Sequence, residues 1–226
     1  MKLNDNTVNV LKNFSTINPN LLVKEGSTLT TMSAMKNIVA KADVEEVFPQ
    51  QFAIYDLNEF LAVLSLFEKP DLDFNDDFVV MTEIGTASKY WYSDPSVVTT
   101  VTKEITMPEC EISFSFANDL LSNVQKAAAV IGVPDMLLEG TDSGVASLKV
   151  TDKKNATAND YAVKVDINNE DGKNVPYKFW FKVENLKLLS GTYDVAISSK
   201  NISHFVNANV DIQYWIALEP ESEYNA

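Results

Sequence analysis

The feature that most constrains this chain is an order of elements that occurs twice. Thr7–Ile17 reads as an amphipathic helix in which Val10, Phe14 and Ile17 share one face, with Leu11 at its edge and Asp5 or Asn6 placed to cap its start. The run Leu21-Leu22-Val23-Lys24-Glu25-Gly26 follows it. Ala117–Ile131 is a second such helix, with Leu120, Val124, Ala127 and Ile131 inward, and Met136-Leu137-Leu138-Glu139-Gly140 follows that. Gly26 and Gly140 stand 140 − 26 = 114 residues apart, about half of a 226-residue chain. A duplicated α+β unit explains this spacing. A single α+β domain with a coincidental order of elements is the alternative.

The remaining elements fill both halves in the same way. In the first, Leu21–Lys24 and Ser27–Met32 are expected to pair across a Glu25-Gly26 turn. Phe52–Tyr55 is a short strand, Asp56 opens a helix carrying Leu57, Phe60, Leu61 and Leu64 at helical spacing, and Phe78–Met81 and Ser88–Tyr92 are strands. Asp94–Pro108, with a proline at each end and no periodicity, reads as an extended connector. In the second half, Glu111–Phe116 alternates with Ile112, Phe114 and Phe116 on one side. Val145–Val150, Tyr161–Ile167, Tyr177–Phe181, Tyr193–Ser198 and Ile212–Leu218 follow as strands. Asp171-Gly172 marks a turn, Val183–Leu189 a short helix, and Ser203–Val210 is left undecided. The boundaries expected are a first domain at 1–97, a connector at 98–109 and a second domain at 110–226.

Catalytic patterns are missing from the sequence. It has no glycine-rich phosphate loop, nucleophile elbow or run of metal ligands. One histidine, His204, and one cysteine, Cys110, read as packed or surface residues, and a lone cysteine forms no internal disulfide. Asp71-Leu72-Asp73-Phe74-Asn75-Asp76-Asp77 resembles the start of a calcium loop. Asp76 stands where that loop needs glycine and Thr82 where it needs glutamate, so it reads as a solvated acidic turn. Asp166, Glu170 and Asp171 around the later turn are read likewise. The expectation is a protein that is not an enzyme and takes no cofactor or metal. The apolar stretches are too short to span a bilayer, and the polar start Met1-Lys2-Leu3-Asn4-Asp5 does not read as a secretory signal.

A net charge of −14 argues at first against nucleic acid. All 18 basic residues are lysines. Lysine is a mobile point charge, without the bidentate fork of arginine that reads bases, so any contact with DNA would be to the backbone and indifferent to sequence. Two lysines are placed to do this. Lys12 lies half a turn from the Val10–Phe14–Ile17 stripe among Asn9, Ser15 and Thr16, and Lys126 lies half a turn from Leu120–Val124–Ile131 among Asn118, Ser122 and Gln125. Past the first turn neither face carries an acid, in a chain with 32 acids. Two ordinary solvated faces remain the alternative.

Several blocks resemble the sliding clamps of T4-like bacteriophages. Lys12-Asn13-Phe14-Ser15-Thr16-Ile17-Asn18 is similar to their first inner helix. Ala53-Ile54-Tyr55-Asp56-Leu57-Asn58, followed by Phe60-Leu61 and Leu64-Ser65-Leu66, is similar to their second and is the most specific block. Asp94-Pro95-Ser96-Val97-Val98 resembles the entry to their interdomain connector, and Tyr214 with Ala217-Leu218-Glu219 their last strand and tail.

The resemblance implies an α+β fold of two tandem clamp-type domains, helices on one face of antiparallel sheets, closed as a homotrimer into a ring around double-stranded DNA. It implies a processivity factor for the replicative DNA polymerase, loaded by an ATP-driven clamp loader, used by late transcription factors, acting in the cytoplasm of an infected bacterial host without contact to membrane. Three copies carry 3 × (−14) = −42 charges, an acidic exterior compatible with a lysine-lined hole. The DNA-facing residues implied are Lys2, Lys12, Lys126 and Lys187, although Glu59 and Glu184 fall in the two shorter inner helices. The partner-peptide pocket implied is Val44, Ile105, Met107, Trp215, Ala217 and Leu218. The subunit interface implied pairs Lys89, Tyr90, Trp91 and Tyr92 head to tail with Tyr161, Val163 and Val165 of the next copy. A non-catalytic, β-rich phage tail or capsid component is the other function considered.

Overall fold

The computed structural model describes residues 1–168 and 174–225. It divides into two compact units, Met1–Glu104 and Ile105–Ala226. Glu170 and the Asp171-Gly172 turn lie outside the described residues.

The first unit opens with α1 (Asp5–Ile17), whose start is capped by Asn4, its side-chain oxygen accepting from the Thr7 amide. The cap thus sits one residue before the two expected from sequence. Thr7, Val10, Leu11, Phe14 and Ile17 are buried. Strands β1 (Leu21–Val23), β2 (Gly26–Met32), β3 (Ile38–Phe48) and β4 (Phe52–Ile54) follow, then α2 (Leu57–Leu64), β5 (Asp71–Phe74), β6 (Phe78–Glu83) and β7 (Thr86–Trp91). Asp56 caps α2 by accepting from the amides of Asn58 and Glu59.

Two expectations for this unit are corrected. Leu21–Val23 does not pair with the strand after Gly26. β1 pairs with β4, Leu21 opposite Ile54, while β2 pairs with β3. Gly26 has φ +112°, a conformation that bends the chain out of one ladder and into another. Asp71–Asp77 is not simply an acidic turn, because its first four residues form β5 against β6. Leu72 there is buried between exposed Asp71 and Asp73, and only Asn75–Asp77 turns the chain.

Helix α1 packs on β2 and β3 and against α2, and α2 packs against β7. Phe60 of α2 meets Tyr90 of β7 edge to face at 5.3 Å. Met1 donates to and accepts from the backbone of Leu72 in β5, at 2.9 and 2.7 Å, so the chain's first residue adds a single rung to that sheet.

The second unit contains β8 (Ile112–Phe116), α3 (Asn118–Ile131), β9 (Asp135–Gly140), β10 (Ala146–Thr151), β11 (Tyr161–Val165), β12 (Tyr177–Lys182), β13 (Tyr193–Ser198), β14 (Ile202–Asn207), β15 (Ile212–Ala217) and β16 (Glu223–Tyr224). One antiparallel sheet runs β11-β10-β9-β12-β16, and β15-β14-β13-β8 are antiparallel neighbours in another. Helix α3 packs on β10 and β11. Phe205 sits between Phe116, Phe181 and Tyr193, whose rings lie 6.2–6.3 Å from it. The segment undecided from sequence is β14. The expected helix Val183–Leu189 is one 3-10 turn, Val183–Asn185, without a side-chain cap. Beyond it Leu189 is fixed by Tyr214 and Tyr193: its amide donates to one hydroxyl at 3.0 Å and its carbonyl accepts from the other at 2.5 Å.

The duplication is visible in the pairing. β1 to β4 correspond to β9 to β12, α2 to the 3-10 turn, and β5 to β7 to β13 to β15. The ladders β2–β3 and β1–β4 reappear as β10–β11 and β9–β12, and β5–β6–β7 reappears as β13–β14–β15. The strand β8 beside β13 corresponds to the single rung that Met1 makes beside β5.

Candidate nucleic-acid interface

Helices α1 and α3 occupy matching places in the two units, and their lysines match to the residue. Lys126 and Lys12 are separated by 126 − 12 = 114 positions, the spacing that relates the two glycines. The buried residues obey the same shift: Thr7, Val10 and Phe14 of α1 become Leu121, Val124 and Ala128 of α3. This corrects the inward stripe expected for α3. Leu120, Ala127 and Ile131 are half-buried at its flanks, and Leu121 and Ala128 lie at its centre. At 100° per residue, each lysine points roughly 165° from the centre of its own helix's buried face. Both are exposed, and neither makes an ion pair with a described residue.

The surroundings of these lysines are amides and hydroxyls. On α1 they are Asn9, Ser15 and Thr16; on α3, Asn118 and Ser122. The only acids of the two helices are Asp5 and Asp119, in the first turns, where a negative charge complements the helix dipole. Gln125, expected among the outward residues, instead donates to the carbonyl of Leu186 at 2.8 Å. Lys2 is exposed and lies 3.7 Å from Asp71. Lys187 is half-buried just past the 3-10 turn, and Glu59 is exposed on α2. Since no helix forms at 183–189, Glu184 belongs to that turn rather than to an inner helix.

The residues implied as interface lie on free sheet edges. Among the described residues β7 pairs only with β6, and β11 only with β10, so each presents an unpaired row of backbone donors and acceptors. Trp91 on β7 is 62% exposed and Tyr161 on β11 is 39% exposed, large apolar areas for an edge. Trp91 packs edge to face on Phe78, and the Lys89 ammonium sits 3.9 Å from the Phe78 ring and 5.1 Å from that of Trp91. Phe78 was expected to begin a strand but not to join this edge, although the β6–β7 register that places it opposite Trp91 follows from the Ile84-Gly85 turn. Tyr90 points the other way, into the core, with its hydroxyl donating to the Asp56 carbonyl at 3.3 Å.

Of the residues implied as a peptide pocket, Val44 is half-buried on β3 in the first unit. In the second unit Ile105, Met107, Trp215 and Ala217 are half-buried and Leu218 is buried. Trp215 stacks on His204 at 4.8 Å and 10°, and His204 Nε2 donates to Gln213 Oε1 at 2.8 Å. Burial holds the imidazole below its ordinary range, against the opposing effect of the Gln213 bond. His204 is thus a wall of the same surface as Trp215. The two-residue alternation of Gln213, Trp215 and Ala217 was the signal for that face.

No group of three or more His, Cys, Asp or Glu among the described residues could hold a metal ion. No described helix is long and apolar enough to cross a membrane.

The family model for DNA polymerase processivity factors matches residues 4–94. The sliding clamp of Vibrio phage KVP40 is 33% identical over 225 residues, covering 97% of this chain and 99% of that protein. The chain belongs to the sliding-clamp family. The sliding clamp of Enterobacteria phage T4 is 26% identical, with both chains covered in full. Solved structures agree on the fold. PCNA from Thermococcus kodakaraensis superposes with a TM-score of 0.73 at 12% identity, covering 97% of this chain and 99% of the other. A. fulgidus PCNA, solved with the C-terminal region of FEN-1 bound, gives 0.70 at 13% identity, covering 96% of each chain. The processivity-factor match and full-length likeness to phage clamps set aside the tail or capsid alternative.

Proposed function

We propose that three copies of this chain close into a ring around duplex DNA, with α1 and α3 of each copy lining the hole, and tether the phage replicative polymerase to its template. The observation that carries this reading is the repetition of Lys12 as Lys126 at one helical position in both units, each on a face with no acid past the first turn. Retention on DNA then comes from topology. A few lysine–phosphate contacts per copy are weak and exchange readily, as sliding over any sequence requires. The surplus of carboxylates elsewhere on the ring repels stray DNA from its outside.

On this reading the protein catalyses nothing itself and acts in the cytoplasm of the infected host. An ATP-driven clamp loader opens and places the ring, and late transcription factors share it with the polymerase. The free edges β7 and β11 pair between successive copies, head to tail, Lys89–Tyr92 of one against Tyr161, Val163 and Val165 of the next. The half-buried apolar residues Ile105, Met107, Trp215 and Ala217, with Leu218, supply the surface for short apolar peptides of the polymerase and loader. Lys2 and Lys187 are secondary DNA contacts, Lys2 being drawn toward Asp71.

The test replaces both central lysines by glutamate. Lys12→Glu with Lys126→Glu places negative charge against phosphate in every copy. Polymerase processivity on primed circles should fall by roughly tenfold or more, and fall further at low salt, with the native mass unchanged. Unchanged processivity in that variant would remove both helices from the DNA-facing surface.

A further inference from the structure

The place that α2 holds in the first unit is held in the second by 183–189, which is mostly not helical and is fixed by four hydrogen bonds from outside itself. The Val183 amide donates to the Pro134 carbonyl, just past α3, at 2.9 Å. The Leu186 carbonyl accepts from Gln125 Nε2 of α3 at 2.8 Å. The Leu189 amide and carbonyl are bonded to the hydroxyls of Tyr214 and Tyr193. Leu186 is also buried. Lys187 follows it directly, so its backbone is held by α3 on one side and by two tyrosines on the other.

Gln125 stands 125 − 11 = 114 positions after Leu11, the shift that relates the two helices. Leu11 is buried on α1, which packs against α2. At the matched place on α3 an apolar side chain has given way to an amide. The exchange has a physical reason. A carbonyl outside a regular helix needs a donor from elsewhere, and leucine offers none. Gln125 supplies that donor from the position next to Lys126, and the same bond brings the Lys187 backbone up to the flank of α3.

We propose that Gln125 is a positioning residue for DNA, holding Lys187 beside Lys126 so that the second unit meets phosphate with a pair of lysines. The matched helices of the first unit offer Lys12 and, on α2, the exposed carboxylate of Glu59. Glu184, exposed in the 3-10 turn, is the acid of the 183–189 segment, and the two lysines outnumber it. Duplex inside the ring is then gripped more firmly by the second unit of each copy than by the first. This inference rests on the ring reading given above, and adds to it which unit makes the stronger contact and which residue arranges it.

The test is the affinity of the whole protein for a short blunt duplex, measured by NMR titration over a range of salt. Lys187→Ala should weaken binding at low salt about three- to tenfold and flatten the dependence of log affinity on log salt. Gln125→Leu restores the residue found at the matched place on α1 and removes no charge. It should nonetheless weaken binding about two- to fivefold and flatten the same slope, and add almost nothing in a Lys187→Ala background. Combined with Lys12→Ala its loss should be additive. Hydrogen exchange at 186–189 should quicken in Gln125→Leu while the native mass stays that of wild type. Gln125→Met, which keeps the length without the donor, answers the same question if the leucine variant does not fold. Wild-type affinity and salt slope in the Gln125 variant, with exchange quickened, overturn the proposal, as does an undiminished further loss in the Lys187→Ala background. Duplex affinity unmoved by Lys12→Glu with Lys126→Glu would instead sink the ring reading, a distinct failure.

Discussion

The two units keep one topology and diverge in how each glycine of the matched pair is used. In the second unit β9 runs straight through to Gly140, and β11-β10-β9-β12 form one continuous sheet. In the first, the chain breaks after Val23, turns at Gly26 with φ +112°, and leaves β1–β4 and β2–β3 as two separate ladders. A shift of register between Gly26 and Thr28 marks the same break. Gly140 has no such backbone demand. A Cβ there would fall 2.2 Å from the Tyr177 ring, so it is glycine because a side chain crosses it. Duplication has preserved the place of an element while the reason for its residue has changed.

That difference can be broken or sharpened by substitution. The largest effect is expected at Gly140. Gly140→Ala must displace the buried Tyr177 ring and should cost about 1–3 kcal/mol or more, whereas Gly26→Ala meets nothing within 4 Å. Its cost is backbone strain alone, about 1 kcal/mol. Denaturant midpoints of the two variants order them, and an equal or reversed order would show that steric crowding is not what fixes Gly140.

A second contrast is expected to give smaller shifts. Helices of the first unit are capped by side chains, Asn4 on α1 and Asp56 on α2, while α3 begins at Ala117 with no cap bond and the 3-10 turn has none either. Ala117 already holds an extended cap geometry, φ −64° and ψ 150°. Ala117→Ser should therefore stabilise by about 0.5–1 kcal/mol, and Asn4→Ala should destabilise by about 1 kcal/mol. Thermal unfolding of both measures the pair. Loss of stability in Ala117→Ser would mean that the start of α3 is held by contacts a hydroxyl disturbs.

Much of the topology was legible in the sequence because long helices and alternating strands carry strong periodic signals. Thr7–Ile17, Ile112–Phe116 and Tyr193–Ser198 are examples. β3 was not, since Lys41, Asp43, Glu45 and Glu46 interrupt its apolar residues and mask an eleven-residue strand. β5 was hidden because two rungs of acid around Leu72 look like a solvated turn until the β6 partner is known. The stripe on α3 was placed one residue off, because Leu120 and Leu121 are adjacent and chemically alike. Lys126 points outward under either choice.

The most direct test of encirclement compares DNA with and without ends. Loaded onto a nicked circle, the protein should remain bound through repeated dilution, and it should run off a linear duplex of equal length at the same salt. Blocking both ends of the linear duplex should restore retention. Equal loss from circle and open-ended duplex would mean that the chain holds DNA by contact alone, and would contradict a closed ring.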